Sequence, residues 1–144
     1  MTTLTETRGP AGMERESFQR LADSAVGCAM SVIDLAGQVV GWNRGAERLV
    51  GYTVRDIIGK PVATLYTPDD ARSGVPEMMM RQAATEGSLR IEVWRVRKSG
   101  SRFWASVVLT ALHHDGPLVG FGELIDGVSS HSPQDGLGLE GREG

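Results

Sequence analysis

Gln38-Val-Val-Gly-Trp-Asn-Arg-Gly-Ala-Glu-Arg-Leu-Val-Gly-Tyr-Thr-Val-Arg-Asp-Ile-Ile-Gly-Lys60 reads as a strand that stops abruptly and hands over to two very short helices. Val39 and Val40 are β-branched and lead into Trp42, which suits a packed strand. Asn43 stands where an N-cap belongs, because its side-chain oxygen can accept from an amide two or three residues on. Ala46, Leu49 and Val50 fall at i, i+3, i+4 and give the first helix an apolar face. Gly51 supplies a left-handed stop. Thr53-Val-Arg-Asp56 has the form of a capping box, Ile57 and Ile58 give the second helix its apolar contact, and Gly59 with Pro61 ends it. Helices this short persist only when packed on something larger, so the segment is a wall fastened to a sheet.

Working outward, Ala29 to Asp34 reads as a first strand, joined to the second by the tight turn Leu35-Ala36-Gly37-Gln38. After the wall, Thr67-Pro68-Asp69-Asp70 starts another short helix, with Thr as cap and Pro at the first helical position. Pro76-Glu77 opens a longer helix, Met78 through Glu86, stopped by Gly87, with Met79 and Ala83 on one face. The last third is β: Leu89 to Lys98, Ser101 to Leu112 and Leu118 to Asp126, separated by turns at Ser99-Gly100 and His114-Asp115-Gly116. Both alternation sets of Phe103 to Leu112 are largely apolar, which predicts burial on both faces. In the preceding strand Leu89, Ile91 and Val93 alternate cleanly while Trp94 and Val96 fall on the other set, so it carries a bulge or is covered on both sides. The expected fold is α+β, a five-stranded antiparallel sheet with short helices on one face.

Asp34-x-x-Gly37-x-Val39-x-x-Trp42-Asn43-x-x-Ala46-Glu47, then Gly51-Tyr52-Thr53-x-x-Asp56-Ile57-Ile58-Gly59-Lys60, resembles the core signature of the PAS domain family. Trp94-Arg-Val-Arg-Lys-Ser-Gly-Ser-Arg-Phe-Trp-Ala105 is similar to the paired strands near the end of many such modules. The resemblance runs from about Phe18 to Asp126. It implies a sensory module of the kind found in bacterial signalling proteins, without catalytic activity of its own.

The 144 residues make one domain with modest tails, at 40% hydrophobic and 23% charged content. Residues 1–12 read as a disordered lead-in, 13–27 as a flanking helix, 28–126 as the sensory domain and 127–144 as a disordered Gly/Ser-rich acidic tail. A net charge of −3 and a pI near 5.6 give no reason to expect nucleic acid or an anionic membrane. Arg95, Arg97, Lys98 and Arg102 form a basic cluster that reads as a solvated rim. One cysteine, Cys28, rules out an internal disulfide framework, no apolar run spans a bilayer, and no signal-peptide pattern is present, so a cytoplasmic location is expected.

Between such a sheet and its wall lies a concave apolar space, the usual form of a small-molecule site. Tyr52, Ile58, Leu65, Met79, Trp94, Val107, Leu109 and Phe121 are its candidate liners, though the same residues are first of all the core of an ordinary packed domain, and a packed-shut core is favoured over an occupied one. The resemblance allows individual cofactors to be tested. Haem is disfavoured, since such modules commonly hold iron through a His on the long helix and positions 75–87 contain none. Covalent flavin of the LOV type is disfavoured because the Asn-Cys-Arg motif is absent and Cys28 precedes the first strand. Noncovalent flavin or a small metabolite stays open. His113-His114-Asp115 lies at a hairpin turn without converging partners, so neither a metal site nor catalysis is expected.

Two functions follow. One is a sensor that binds a small ligand or partner protein and relays its state through the sheet and the N-terminal helix. The other is a ligand-free dimerisation or scaffolding domain acting in trans on a kinase or regulator. The apolar face of Phe18 and Leu21 suggests either a homodimer through the N-terminal helix and sheet or a helix that covers its own sheet. Asp126 matches the end of many such modules, but Gly127 and Val128 depart from it and no amphipathic helix follows, so output through a C-terminal effector is not expected.

Overall fold

The computed structural model describes residues 28–131. The expected flanking helix, the apolar face of Phe18 and Leu21, and most of the expected tail lie outside them. The chain opens with β1 (Ala29–Asp34) and β2 (Val39–Trp42), followed by α1 (Arg44–Val50), α2 (Val54–Ile57) and a 3-10 turn at Val62–Leu65. Then come α3 (Pro68–Arg72), α4 (Val75–Glu86), β3 (Ser88–Val96), β4 (Arg102–His113) and β5 (Leu118–Ser129). The strands form one antiparallel sheet in the order β2-β1-β5-β4-β3. The expected α+β architecture is what the chain adopts.

Local chemistry sets the punctuation. The Asp34 carboxylate accepts from the amides of Ala36 and Gln38 at 3.0 and 2.9 Å, which shapes the β1–β2 turn around Gly37 at φ 83°. Asn43 caps α1 by accepting from the Ala46 amide at 2.9 Å. The same oxygen accepts from the Met30 amide at 2.9 Å, and the Asn43 amide donates to the Cys28 carbonyl at 3.1 Å. One side chain thus ends β2, starts α1 and fastens both to β1. Thr53 and Thr67 cap α2 and α3 through bonds from Asp56 and Asp70.

Packing of α1 on β1 is close enough that a Cβ on Gly45 would lie 1.9 Å from the Cys28 carbonyl oxygen. On α4, Met79 and Ala83 are both 0% exposed and pack on the sheet, as the spacing predicts. The inward set of β4, Phe103, Ala105, Val107 and Leu109, is buried, while Trp104, Ser106 and Val108 on the other face are half-buried. Burial on both faces is therefore corrected to burial on one. Pairing of β3 with β4 is unbroken, so β3 has no bulge, and Trp94 turns outward opposite Trp104. β5 also runs past the expected boundary at Asp126, because Gly127, Val128 and Ser129 pair with Ser106, Ala105 and Trp104.

Candidate functional site

The hollow between sheet and helices is lined chiefly by apolar side chains, but a polar group sits inside it. Arg95 on β3 and Glu123 on β5 are 1% and 4% exposed. The guanidinium donates to both carboxylate oxygens, at 2.6 Å through one terminal nitrogen and 3.2 Å through the other. Arg95 also donates to the Tyr66 hydroxyl at 3.1 Å and lies 4.3 Å over that ring. The Tyr66 hydroxyl in turn donates to the Met79 sulfur at 3.3 Å, and the Ser31 hydroxyl donates to Glu123 at 3.1 Å. The cluster joins β1, β3, β5, α4 and the chain following the 3-10 turn.

Electrostatics keep both ends of the pair useful. Burial opposes the charge on Arg95, but the Glu123 carboxylate and the Tyr66 hydroxyl together outweigh it and hold the guanidinium pKa above its ordinary value. Burial, with Glu123 acting the same way, pushes the Tyr66 phenol up to about 12 although Arg95 works against the shift. Tyr66 is therefore a neutral donor at any physiological pH. One nitrogen of this group, Arg95 Nε, has no acceptor among the protein atoms.

Beside the cluster is a cavity of about 10 Å³, bordered by Ser31, Arg95 and Glu123 and by apolar residues including Trp42, Ala46 and Leu65. That is room for about one water molecule, since roughly 10–15 Å³ is the minimum needed. Among the described residues, this cavity is too small for a flavin ring. Among the described residues, no group of three or more His, Cys, Asp and Glu side chains could hold a metal ion. No described helix is long and apolar enough to cross a membrane.

The eight candidate liners divide. Leu65, Met79, Val107, Leu109 and Phe121 are buried in the core, and of these Leu65 borders the cavity. Tyr52 is half-buried and accepts through its carbonyl from the Trp42 indole at 2.8 Å. Ile58 is not a liner. It follows α2 with an extended backbone and is 39% exposed, whereas Ile57 takes the inward place at 0%. Trp94 is not a liner either, because it shares neither face nor direction with Val93 and Arg95. It packs edge-on against Trp104 with centroids 5.3 Å apart, under the Arg102 guanidinium.

The basic cluster needs the same correction. Lys98 and Arg102 are exposed, as a solvated rim requires, but Arg95 is the most deeply placed charge of the described residues. Arg97 is half-buried, donating to the Leu49 carbonyl at 3.0 Å. Parity was the available signal. Arg95 lies two residues from inward Val93, and Glu123 lies between inward Phe121 and Ile125.

Comparison with known proteins agrees with this architecture. The PAS fold family matches residues 16–123. A relative, two-component system protein A of Emericella nidulans, is 39% identical over 106 residues, which cover 74% of this chain and 16% of that protein. The chain thus spans about one sixth of the curated relative. Among solved structures, the PAS domain of a protein from Colwellia psychrerythraea matches with a TM-score of 0.71 at 24% identity, over 81% of this chain and 98% of that one. The ethanol-bound PAS domain of a LuxR-family transcriptional regulator from Burkholderia thailandensis matches at a TM-score of 0.62 and 19% identity, over 74% and 94% of the two chains. These likenesses show a shared fold. With the sheet order, the short helical wall and a family match over most of its length, the chain belongs to the PAS family.

Proposed function

We propose that this PAS module is a non-catalytic sensory and interaction element of a two-component type of signalling protein. Its sheet carries the state of its core to a second copy of the chain docked on the outer face. The observation that supports this most is the Arg95–Glu123 pair, which ties edge strand β3 to central strand β5 across the concave face at 2.6 Å. A change in what the core holds alters the sheet's curvature through that tie. The name of the Emericella nidulans relative supports the signalling context.

The outer face favours protein docking over a bulky resident ligand. Trp94 and Trp104 stand half-buried there, Val128 is 48% exposed, and the Trp104 indole nitrogen is shielded without an acceptor among protein atoms. Light scattering on the full chain and on a Trp94→Glu, Trp104→Glu variant tests the reading. The expected result is a dimer that the variant dissociates, with slower amide exchange on β4 and β5 in the dimer. A wild-type monomer at tens of micromolar, roughly a tenfold margin over a 1 μM dissociation constant, overturns it. Mass spectrometry of material released on denaturation supplies a second check, since a flavin-sized molecule would require a core open far beyond the one described.

A further inference from the structure

We infer that the second copy docks about a two-fold axis through the Trp94–Trp104 pair, with Glu92 of each copy meeting Arg102 of the other. This rests on the docking reading above and specifies its register. Trp94 and Trp104 are directly opposed on β3 and β4, half-buried, and pack edge-on with centroids 5.3 Å apart. On the same outward face Glu92 lies one row before that pair, opposite Ser106, and Arg102 lies one row after it, opposite Val96. The two exposed charges therefore flank the indoles diagonally, one on each strand. Their positions are ~4 residues apart in register, about 13 Å at ~3.3 Å per residue. That is too far for an ion pair within one chain, and side chains on the convex side of a twisted sheet diverge further.

Two-fold symmetry turns this diagonal into a match. A two-fold interface is self-complementary, so if one residue meets a second, the second meets the first across the axis. An axis lying in the interface, centred on the indoles and perpendicular to the Glu92–Arg102 diagonal, brings each carboxylate over the other copy's guanidinium. The match is made twice. Arg102 is already held in place, with its guanidinium 4.2 Å over the Trp94 ring, so pairing costs it little further side-chain freedom. Arg90, whose field Glu92 shares, is committed to Asp126 at 2.9 Å and to the Ser106 hydroxyl at 2.9 Å. Ser106, Gly127 and Ser129 line a recess beside Trp104 that leaves room for the facing indoles. The indoles supply the buried aromatic area, while the ion pairs fix the register and reject faces of the wrong charge.

Charge reversal on the full chain tests it. Glu92→Arg and Arg102→Glu each set like charges face to face at both contacts. Either variant alone should dimerise at least about tenfold more weakly than the wild type. Mixed in equal amounts, they place the arginines of one on the glutamates of the other, and light scattering should find a heterodimer about as tight as the wild-type dimer. The double variant Glu92→Arg, Arg102→Glu should associate with itself as the wild type does. Should a single variant fail to fold, the double variant decides. A wild-type dimer whose variants are not rescued by mixing, or whose double variant stays monomeric, overturns the pairing and leaves the docking reading in place. A wild-type monomer, as when the chain's own N-terminal segment covers the face, overturns both.

Discussion

Arg95 and Glu123 form a 2.6 Å ion pair although their neighbours on the intervening strand, Phe103 and Leu109, stand six positions apart. In a flat sheet that offset is ~20 Å along the strand, at ~3.3 Å per residue. The two side chains meet because the sheet twists between edge strand β3 and central strand β5, and the long Arg95 side chain reaches back across β4 over the hollow. The pair is a strap over the concave face. It joins β3 to β5 through two hydrogen bonds, with Tyr66 and Ser31 bonded to the same two side chains.

Removing one half of the strap should be far worse than removing both. Arg95→Met leaves the Glu123 carboxylate buried and uncompensated, with an expected loss of about 3–5 kcal/mol in denaturant unfolding. The double variant Arg95→Met, Glu123→Leu fills similar volume without a buried charge and should recover most of that loss. A double variant as unstable as the single one would mean that the pair's hydrogen bonds to Tyr66 and Ser31, not its charge balance, hold the sheet.

Tyr66 gives the fold a sensitivity to base. Its phenol titrates at about 12 in the folded protein against an ordinary 10.0, raised first by burial. The unfolded chain therefore loses this proton first. The stability tied to the neutral phenol is complete below 10.0 and is lost as pH rises through about 12. Tyr66→Phe should cost about 1–2 kcal/mol at neutral pH by deleting the bonds to Arg95 and Met79. The variant's stability curve should lack the step in that alkaline window. Parallel curves for both proteins would show that other groups govern the alkaline limb.

Two glycines separate crowding from backbone strain. A Cβ on Gly45 would sit 1.9 Å from a backbone oxygen, and α1 cannot yield without leaving β1. Gly45→Ala should therefore cost about 3 kcal/mol, the upper part of the range for overpacking. Gly59, at φ 90°, has nothing within 4 Å of its would-be Cβ, so Gly59→Ala should cost only the left-handed conformation, about 1 kcal/mol. Equal unfolding midpoints for the two variants would contradict this division.

What the sequence disclosed followed the range of the interactions. Caps at Asn43, Thr53 and Thr67 and the stop at Gly51 are contacts within a few residues, so local spacing reveals them. Strand membership was legible for the same reason, since turns and alternation are local. Ile57 and Ile58 were not separable, because which of two adjacent isoleucines turns inward depends on how the chain leaves α2. Trp94 misled through its size: alternation puts it on the far face, opposite Arg95. The strap was hidden for a different reason. Each charge had inward parity, but their meeting depends on the curl of three strands, which no window of sequence contains.

Asn43 offers the sharpest separation of a local role from a long-range one. Its oxygen accepts from Ala46 and from Met30, both at 2.9 Å, and its amide donates to Cys28 at 3.1 Å. A simple cap is worth about 1 kcal/mol, so a purely local role predicts a loss near that for Asn43→Ala. The additional contacts to β1 are buried, and deletion leaves the Met30 amide without this acceptor. The expected loss is therefore about 2–4 kcal/mol. Asn43→Asp keeps both acceptor bonds but turns a carboxylate toward the Cys28 carbonyl at a position only 2% exposed. That variant should cap α1 yet lose stability as the carboxylate ionises, and regain part of it in acid. If the Ala variant loses only about 1 kcal/mol, Asn43 is a helix cap and its bonds to the first strand contribute nothing measurable.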